Sequence, residues 1–314
     1  MSIALNTFQA LAALFAIGFL GFWIVRKEVL PGKALRFLYP LAIEIALPSL
    51  IFVNIVRNLR PAEQPDWWLW PPRFLGFMLW AGVLTALCSL FARRAFRREF
   101  AVALLFQNIT FFPLVILAQL FGDGSPHLLS LFLFGILFAP LFFNTYYLFF
   151  AREWRGLQWR KTLHPVVIAS CLGVLLCTLG IQDLVPGFVL SSLDLLGGMC
   201  VPLLILILGG NLSADLRMRG KTQLRETFAF VAAKNIVFPL ATLAVLLLLK
   251  PPGDIALILF LQSAVPPIAS IPILVEREGG DGGGVSRFVV ASSALSLISI
   301  PLLMLLFSRF FPVG

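Results

Sequence analysis

Charged residues are scarce in this 314-residue chain: only 12% are Asp, Glu, Lys or Arg, whereas 60% are apolar. Soluble domains average about 25% charged and roughly 45–50% apolar residues. So few charges cannot cover the surface of a water-soluble fold, which excludes a soluble enzyme, a nucleic-acid-binding protein and a disordered chain. The composition therefore predicts a membrane protein.

Residue types that bind metals or catalyse reactions are also few. The four cysteines form no Cys-x-x-Cys pair and the two histidines lie far apart, so we expect neither a metal site nor a disulfide framework. The glycine-rich stretch from Gly279 to Gly284 lacks the Lys-Ser/Thr ending of a phosphate-binding loop and is expected to be a turn. We expect no enzymatic activity and no cofactor.

Long apolar runs make up most of the chain instead. A helix that crosses a hydrocarbon core about 30 Å thick needs roughly 20 apolar residues. Runs of this kind, bounded by charges, Pro or Gly, cover residues 5–26, 35–58, 70–92, 100–121, 127–150, 163–181, 190–212, 226–249, 254–276 and 287–310. They predict an all-α membrane protein with ten transmembrane helices.

The net charge of +9 indicates an orientation rather than a nucleic-acid partner. If the N-terminus lies outside, most lysines and arginines fall in connections that face the cytoplasm. These residues are Arg26, Lys27, Lys33, Arg36, Arg93, Arg94, Arg97, Arg98, Arg152, Arg155, Arg160, Lys161, Arg217, Arg219, Lys221, Arg225, Arg277 and Arg287. The positive-inside rule then predicts that both termini lie outside the cytoplasm.

Short segments recur in order at a nearly constant spacing along the chain. The matched positions are Pro31 with Pro186, Pro48 with Pro202, Pro113 with Pro267, Gly122 with Gly280, and Pro140 with Pro301. They predict two five-helix repeats, residues 1–157 and 158–314. Because five is odd, the second repeat would enter the membrane from the opposite face, as in many secondary transporters. Coincidence among similar apolar helices is the alternative.

Prolines interrupt the fourth and ninth predicted helices beside small polar residues. The residues are Gln107, Asn108, Thr110 and Pro113 in the fourth helix, and Gln262, Ser263, Pro266 and Pro267 in the ninth. Since proline leaves the carbonyl four residues earlier without a donor, such breaks are tolerated only against protein or a wet cavity. They indicate a binding site, where helix N-terminal ends suit an anion and freed carbonyls suit a cation. Ordinary proline kinks are the alternative.

Three ionisable residues fall within the predicted spans, namely Glu44, Asp194 and Lys234. Because a lone charge at the centre of a bilayer costs about 2.5–3.5 kcal/mol or more, such residues are functional candidates. Lys234 is interpreted as a counter-charge for an anionic substrate or as a substitute for a coupling cation. An ion pair of Lys234 with Glu44 or Asp194 is the structural alternative, and Asp194 could simply be hydrated near the interface.

Three stretches of the sequence resemble a known family. The stretch from Ala264 to Pro301 holds a double-proline break, a short charged turn and a serine-rich start to the last helix. The stretches from Pro202 to Leu212 and from Ala46 to Phe52 resemble the seventh and second helices of the same family. By these residues the chain resembles the bacterial auxin efflux carrier family.

The resemblance implies a ten-helix fold related to the bile-acid/sodium symporters, with crossed, broken helices 4 and 9. Helices 1, 2, 6 and 7 would form a scaffold that contains Glu44 and Asp194. Helices 3–5 and 8–10 would form a moving transport domain that contains Lys234. Relatives carry carboxylates, often as dimers. The chain departs from the family at Phe111 and Phe112, which stand before Pro113 where glycines are usual.

Together these observations predict a secondary active transporter in the plasma (bacterial inner) membrane. It would move a small organic anion, a carboxylate, by alternating access, with coupling to H+ or Na+ left open. The lipid bilayer and a second copy of the chain are the other expected partners. The predicted site comprises Gln107, Asn108, Thr110, Gln262, Ser263, Lys234, Glu44 and Asp194, with helix breaks at Pro113, Pro266 and Pro267. A non-transporting sensor or a channel on the same fold is the alternative.

Overall fold

The computed structural model describes residues 12, 16–29, 35–122, 125–151, 156, 158, 162–215 and 224–312. Throughout these ranges the regular secondary structure is helical, which confirms the predicted all-α class. Within the described residues, β-type backbone pairing occurs at one place, an isolated antiparallel bridge between Gln107 and Pro267. That bridge marks the place where two interrupted helices meet.

The described helices are numbered here in chain order. They are α1 (Ala16–Arg26), α2 (Leu35–Pro40, Leu41–Ala46 and Leu47–Asn58), α3 (Trp70–Ser89), α4 (Arg97–Leu105), α5 (Phe111–Phe121), α6 (Pro126–Gly135), α7 (Phe138–Thr145), α8 (Pro165–Thr178), α9 (Gly187–Gly198), α10 (Cys200–Asp215), α11 (Leu224–Ala232, Ala233–Val237 and Phe238–Leu249), α12 (Gly253–Ala264), α13 (Ile271–Arg277) and α14 (Gly282–Phe307). Each of the ten spans predicted from the sequence overlaps at least one of them.

Five stretches of the described chain are long and apolar enough to cross a membrane. They are Leu38–Asn58, Trp67–Ser89, Pro126–Phe149, Gly187–Ile207 and Leu224–Leu249. The number rises to six if α14, which bends by 54° between Gly282–Ser296 and Ile298–Phe307, is one span. Helices α1, α5, α8 and α12 are apolar but shorter. The chain is therefore a helical protein with several membrane-spanning segments.

Two of the long helices widen into a π-helical turn just before a proline. In α2 the π turn Leu41–Ala46 precedes Pro48, and in α11 the π turn Ala233–Val237 precedes Pro239. A proline ring clashes with the carbonyl four residues earlier and removes its donor, and the wider turn relieves both effects without ending the helix. In α11 the same turn buries two consecutive polar residues, Lys234 and Asn235.

Glycines allow α1 and α10 to touch along their backbones. A Cβ atom on Gly209 would overlap the carbonyl oxygen of Gly18, and one on Gly21 would overlap that of Leu206. Small residues permit this close approach of membrane helices, because packing rather than the hydrophobic effect holds them together in lipid. Elsewhere, Gly197 of α9 lies against the backbone of Leu50 in α2, and Gly173 of α8 lies against the Ile55 side chain of the same helix.

Replacing Gly209 by alanine tests whether this contact holds α1 and α10 together. We expect Gly209→Ala to destabilise the protein by about 1–3 kcal/mol, because overpacking a fitted interface forces the backbones apart. The matched control is Gly82→Ala in α3, where an added Cβ meets nothing within 4 Å. That change should be neutral or slightly stabilising. Equal thermal unfolding midpoints for the two variants in detergent would refute the close contact.

Candidate substrate-binding site

The candidate site lies where two broken helices cross. Helix α4 ends at Leu105 and α5 begins at Phe111, while α12 ends at Ala264 and α13 begins at Ile271. We call the two linking segments, residues 106–110 and 265–270, the crossing. They run antiparallel over the bridge that joins Gln107 to Pro267.

The two breaks supply hydrogen bonds to each other. The Asn108 N–H donates to the Pro266 carbonyl at 2.9 Å, and the Ile268 N–H donates to the Phe106 carbonyl at 3.0 Å. Each bond satisfies backbone groups that a continuous helix would have paired internally. Because an unpaired buried amide or carbonyl is costly, neither break could persist in a low-dielectric setting without the other.

Polar side chains cap the carbonyls that the prolines release. Ile109 O, for which Pro113 four residues later has no N–H to offer, accepts from Gln262 Nε2 at 2.9 Å. Ser263 O, four residues before Pro267, accepts from Lys234 Nζ at 3.1 Å. The polar residues beside each break are thus structural partners of the other break or of α11.

Lys234 is fully buried, with a relative exposure of 0%. Its Nζ donates to Gln107 Oε1 at 2.8 Å as well as to Ser263 O, and it lies 4.9 Å from the centroid of the Phe238 ring. Two oxygens and an aromatic face suit the three N–H groups of an ammonium. Across the described residues, no carboxylate lies within 4.0 Å of this nitrogen, so its charge lacks an ionic partner there.

Three amide side chains at the crossing each keep one buried atom without a hydrogen-bond partner among the described residues. These atoms are Gln107 Nε2, Asn108 Nδ2 and Gln262 Oε1. The other atom of each amide is engaged: Gln107 Oε1 by Lys234, Asn108 Oδ1 by the Phe111 N–H at 3.0 Å, and Gln262 Nε2 by Ile109 O. These bonds decide which end of each amide is free. The crossing therefore offers two free donors and one free acceptor beside an ammonium.

Three of the predicted site residues lie at the edge of this cluster or away from it. Thr110, half-buried, is the residue that precedes α5. Glu44 is exposed on the π turn of α2. Asp194 pairs with Arg57 at 2.8 Å, both side chains being about half exposed at 50% and 45%. The structure thus brings together Gln107, Asn108, Gln262, Ser263 and Lys234, and it replaces the considered Lys234 ion pair by bonds to neutral groups.

The prolines occupy different places in the two breaks. Pro266 and Pro267 lie within the linking segment itself, as predicted. Pro113, in contrast, is the third residue of α5, so the first break falls at the residues before it. In the first turn of a helix the N–H groups have no intrahelical acceptor, so proline is tolerated there.

A second polar cluster beside Lys234 escaped the sequence analysis. Asn235 Nδ2 donates to Ser292 O and Ser296 Oγ, both at 3.1 Å, and Ser292 Oγ donates to Asn235 Oδ1 at 2.7 Å. Ser299 Oγ lies 3.3 Å from the same Nδ2. The signal was present, because serines at 292, 296 and 299 share one helix face. The network fixes the π turn of α11 against α14.

The family described as membrane transport protein, also known as the auxin efflux carriers, matches residues 6–158 and again residues 155–304. The chain belongs to the auxin efflux carrier family. A comparison with curated proteins finds no match. Membership in this transporter family confirms the resemblance read from the sequence and accords with the expectation of a non-enzymatic protein.

In this auxin efflux carrier family member, aromatic rings pack against the first linking segment of the crossing. Phe112 is buried, and Phe106 packs edge-on against Phe142 with ring centroids 4.9 Å apart. A second ring, Phe149, lies 6.3 Å from Phe106. These apolar rings lower the local dielectric constant, which strengthens the hydrogen bonds of the neighbouring polar groups.

Replacing Gln262 by leucine tests the capping of Ile109 O. The change leaves this carbonyl buried without its donor, which costs about 1–3 kcal/mol. We therefore expect Gln262→Leu to lower the midpoint of thermal unfolding in detergent. The control is Gln119→Leu, on the exposed surface of α5, which should leave the midpoint unchanged. A Gln262→Leu midpoint equal to that of the control would contradict the capping role.

Proposed function

We propose that this protein is a secondary active transporter that carries a small organic anion, a carboxylate, across the membrane by alternating access. The substrate binds at the crossing, against Lys234 and the free amide donors. The observation that carries this proposal is a fully buried lysine beside two buried, unpartnered amide N–H₂ groups, Gln107 Nε2 and Asn108 Nδ2.

The free atoms at the crossing match a carboxylate better than a cation or an apolar solute. A carboxylate accepts hydrogen bonds only, and it finds here two amide donors and an ammonium. The Asn108 side chain also caps α5, so the positive N-terminal end of this 11-residue helix faces the same place. A bound anion would compensate the buried charge of Lys234, which otherwise lacks an ionic partner among the described residues.

The helices that supply these groups support a moving transport domain. Lys234 comes from α11, and the other four site residues come from the two broken helices. All belong to spans 3–5 and 8–10, so the site would travel as one body past the scaffold of spans 1, 2, 6 and 7.

Membrane, orientation and assembly complete the proposal. The protein lies in the bacterial inner membrane with both termini outside the cytoplasm, as the distribution of lysine and arginine favours. Its inverted five-helix repeats, 1–157 and 158–314, place one broken helix in each half. It works as a homodimer, as the family resemblance suggests.

An Asn108→Asp variant tests the anion site while keeping the helix cap. The aspartate oxygen still accepts from the Phe111 N–H, but the amide donor becomes a negative charge that repels a carboxylate. A carboxylate that raises the unfolding midpoint of the wild type, found by screening mono- and dicarboxylates, should bind the variant at least about tenfold more weakly.

The matched control is Asn58→Asp, at the end of α2 and outside the crossing. It adds the same charge without touching the site, so the carboxylate should bind as to the wild type. Unaltered binding to a folded Asn108→Asp variant would rule out this site.

Counterflow in proteoliposomes separates a carrier from a channel or a sensor. Vesicles loaded with the unlabelled carboxylate should transiently accumulate labelled carboxylate above its outside concentration, because a carrier exchanges one molecule for another. Uptake that only equilibrates indicates a channel, and the absence of uptake with retained binding indicates a sensor. Either of these results would contradict the proposed mechanism.

A further inference from the structure

Two adjacent residues in the π turn of α11 face two different neighbours. Lys234 reaches the crossing, where its Nζ donates to Gln107 Oε1 and Ser263 O. Asn235, which is buried, faces α14: its Nδ2 donates to the Ser292 carbonyl at 3.1 Å, and Ser292 Oγ donates to its Oδ1 at 2.7 Å. Because successive residues of a helix lie roughly a quarter of a turn apart, holding one of them in place sets the direction of the other.

The same asparagine contacts both arms of the bent helix α14. The helix bends by 54° just after Ser296, where Pro301 leaves a carbonyl without its helical donor. Asn235 Nδ2 lies 3.1 Å from Ser296 Oγ before the bend and 3.3 Å from Ser299 Oγ after it. One side chain therefore fixes the rotation of α11 against two directions of the neighbouring helix.

The π turn of α2 shows what a proline does without such a cluster. Leu41–Ala46 widens before Pro48 although it contains no buried amide, and its polar residue, Glu44, is exposed. A proline is thus sufficient to widen the turn, and the Asn235 cluster is not needed for that purpose in α11. What the cluster adds is a fixed orientation of the turn that holds Lys234.

We propose that Asn235, held by the serines of α14, positions the Lys234 ammonium for substrate binding. A binding group must be held within about 0.5 Å of its working place by the residues around it, and the flexible four-carbon stem of a lysine does not supply this by itself. Asn235 acts through its neighbour and is a positioning residue. The inference rests on the proposed function, because it assigns the carboxylate site a support in α14.

The test compares two variants that each lose one buried hydrogen-bonding side chain of α11. Asn235→Ala keeps Pro239 but removes the contacts with α14, so the stabilising carboxylate should bind about tenfold more weakly. The control is Thr242→Val, which removes the hydroxyl that accepts from Trp80 Nε1 at 3.0 Å, seven residues further along the helix. The control should bind the carboxylate as the wild type does.

Unchanged affinity in a folded Asn235→Ala variant would overturn the inference, and so would an equal loss of affinity in Thr242→Val. If Asn235→Ala does not fold, Ser292→Ala replaces it, because this change removes only the hydroxyl that donates to Asn235 Oδ1. Ser292→Ala should weaken binding about threefold. Wild-type affinity in Ser292→Ala would then overturn the positioning role.

A thermal cycle without carboxylate separates this inference from the proposed function. In a Lys234→Met background no ammonium remains to be positioned, so Ser292→Ala should lower the unfolding midpoint by less than it does in the wild type. Thr242→Val should lower the midpoint equally in both backgrounds. Equal shifts for Ser292→Ala would overturn the inference. If no carboxylate binds the wild type, the proposed function fails and this cycle decides the role of Asn235; if Lys234→Met does not fold, the binding comparison decides.

Discussion

The structure depends on how two interrupted helices satisfy each other's backbone groups away from water. Neither break is stable alone, because each releases amides and carbonyls that lipid cannot pair. Two backbone hydrogen bonds between residues 106–108 and 266–268 satisfy part of this need. Gln262 and Lys234 satisfy two of the carbonyls that prolines release. The polar side chains at the crossing therefore serve the fold first, and the atoms that remain free are what a substrate can use.

Charge explains why the crossing suits an anion although carbonyls abound there. The ammonium of Lys234 donates hydrogen bonds to neutral oxygens, which solvate its positive charge but do not neutralise it. Two buried amide donors are left over, against one acceptor. The unpartnered groups at the crossing are therefore mostly hydrogen-bond donors beside a positive charge. The neighbouring phenylalanines lower the local dielectric constant and so strengthen each polar contact. Asp194, in contrast, has its own exposed partner in Arg57 and contributes nothing to this field.

Much of this arrangement could be predicted from the sequence. The length of the apolar runs predicted the helical class, because the number of residues needed to cross a bilayer can be counted in the sequence. The prolines predicted both breaks, because the missing N–H of proline affects only neighbouring residues. The sequence also singled out Lys234 and the amides, since polar residues within apolar spans are rare. Their partners could not be predicted: Gln107 and Lys234 are 127 residues apart, and only the crossing brings them together.

The same limit explains what the sequence misplaced or missed. Pro113 was expected within the break, but a proline also fits the first turn of the helix that follows, and a sequence cannot tell these positions apart. The ion-pair alternative for Lys234, with Glu44 or Asp194, failed because a sequence does not show how far apart two opposite charges lie in the fold.

The most direct measurement of the central claim is an experimental structure of the protein in a lipid nanodisc with its stabilising carboxylate bound. The account predicts density for the carboxylate at the crossing, within hydrogen-bonding distance of Lys234 Nζ and Asn108 Nδ2. Carboxylate density elsewhere, for instance beside the Arg57–Asp194 pair, with the bonds of Lys234 to Gln107 and Ser263 undisturbed, would contradict it.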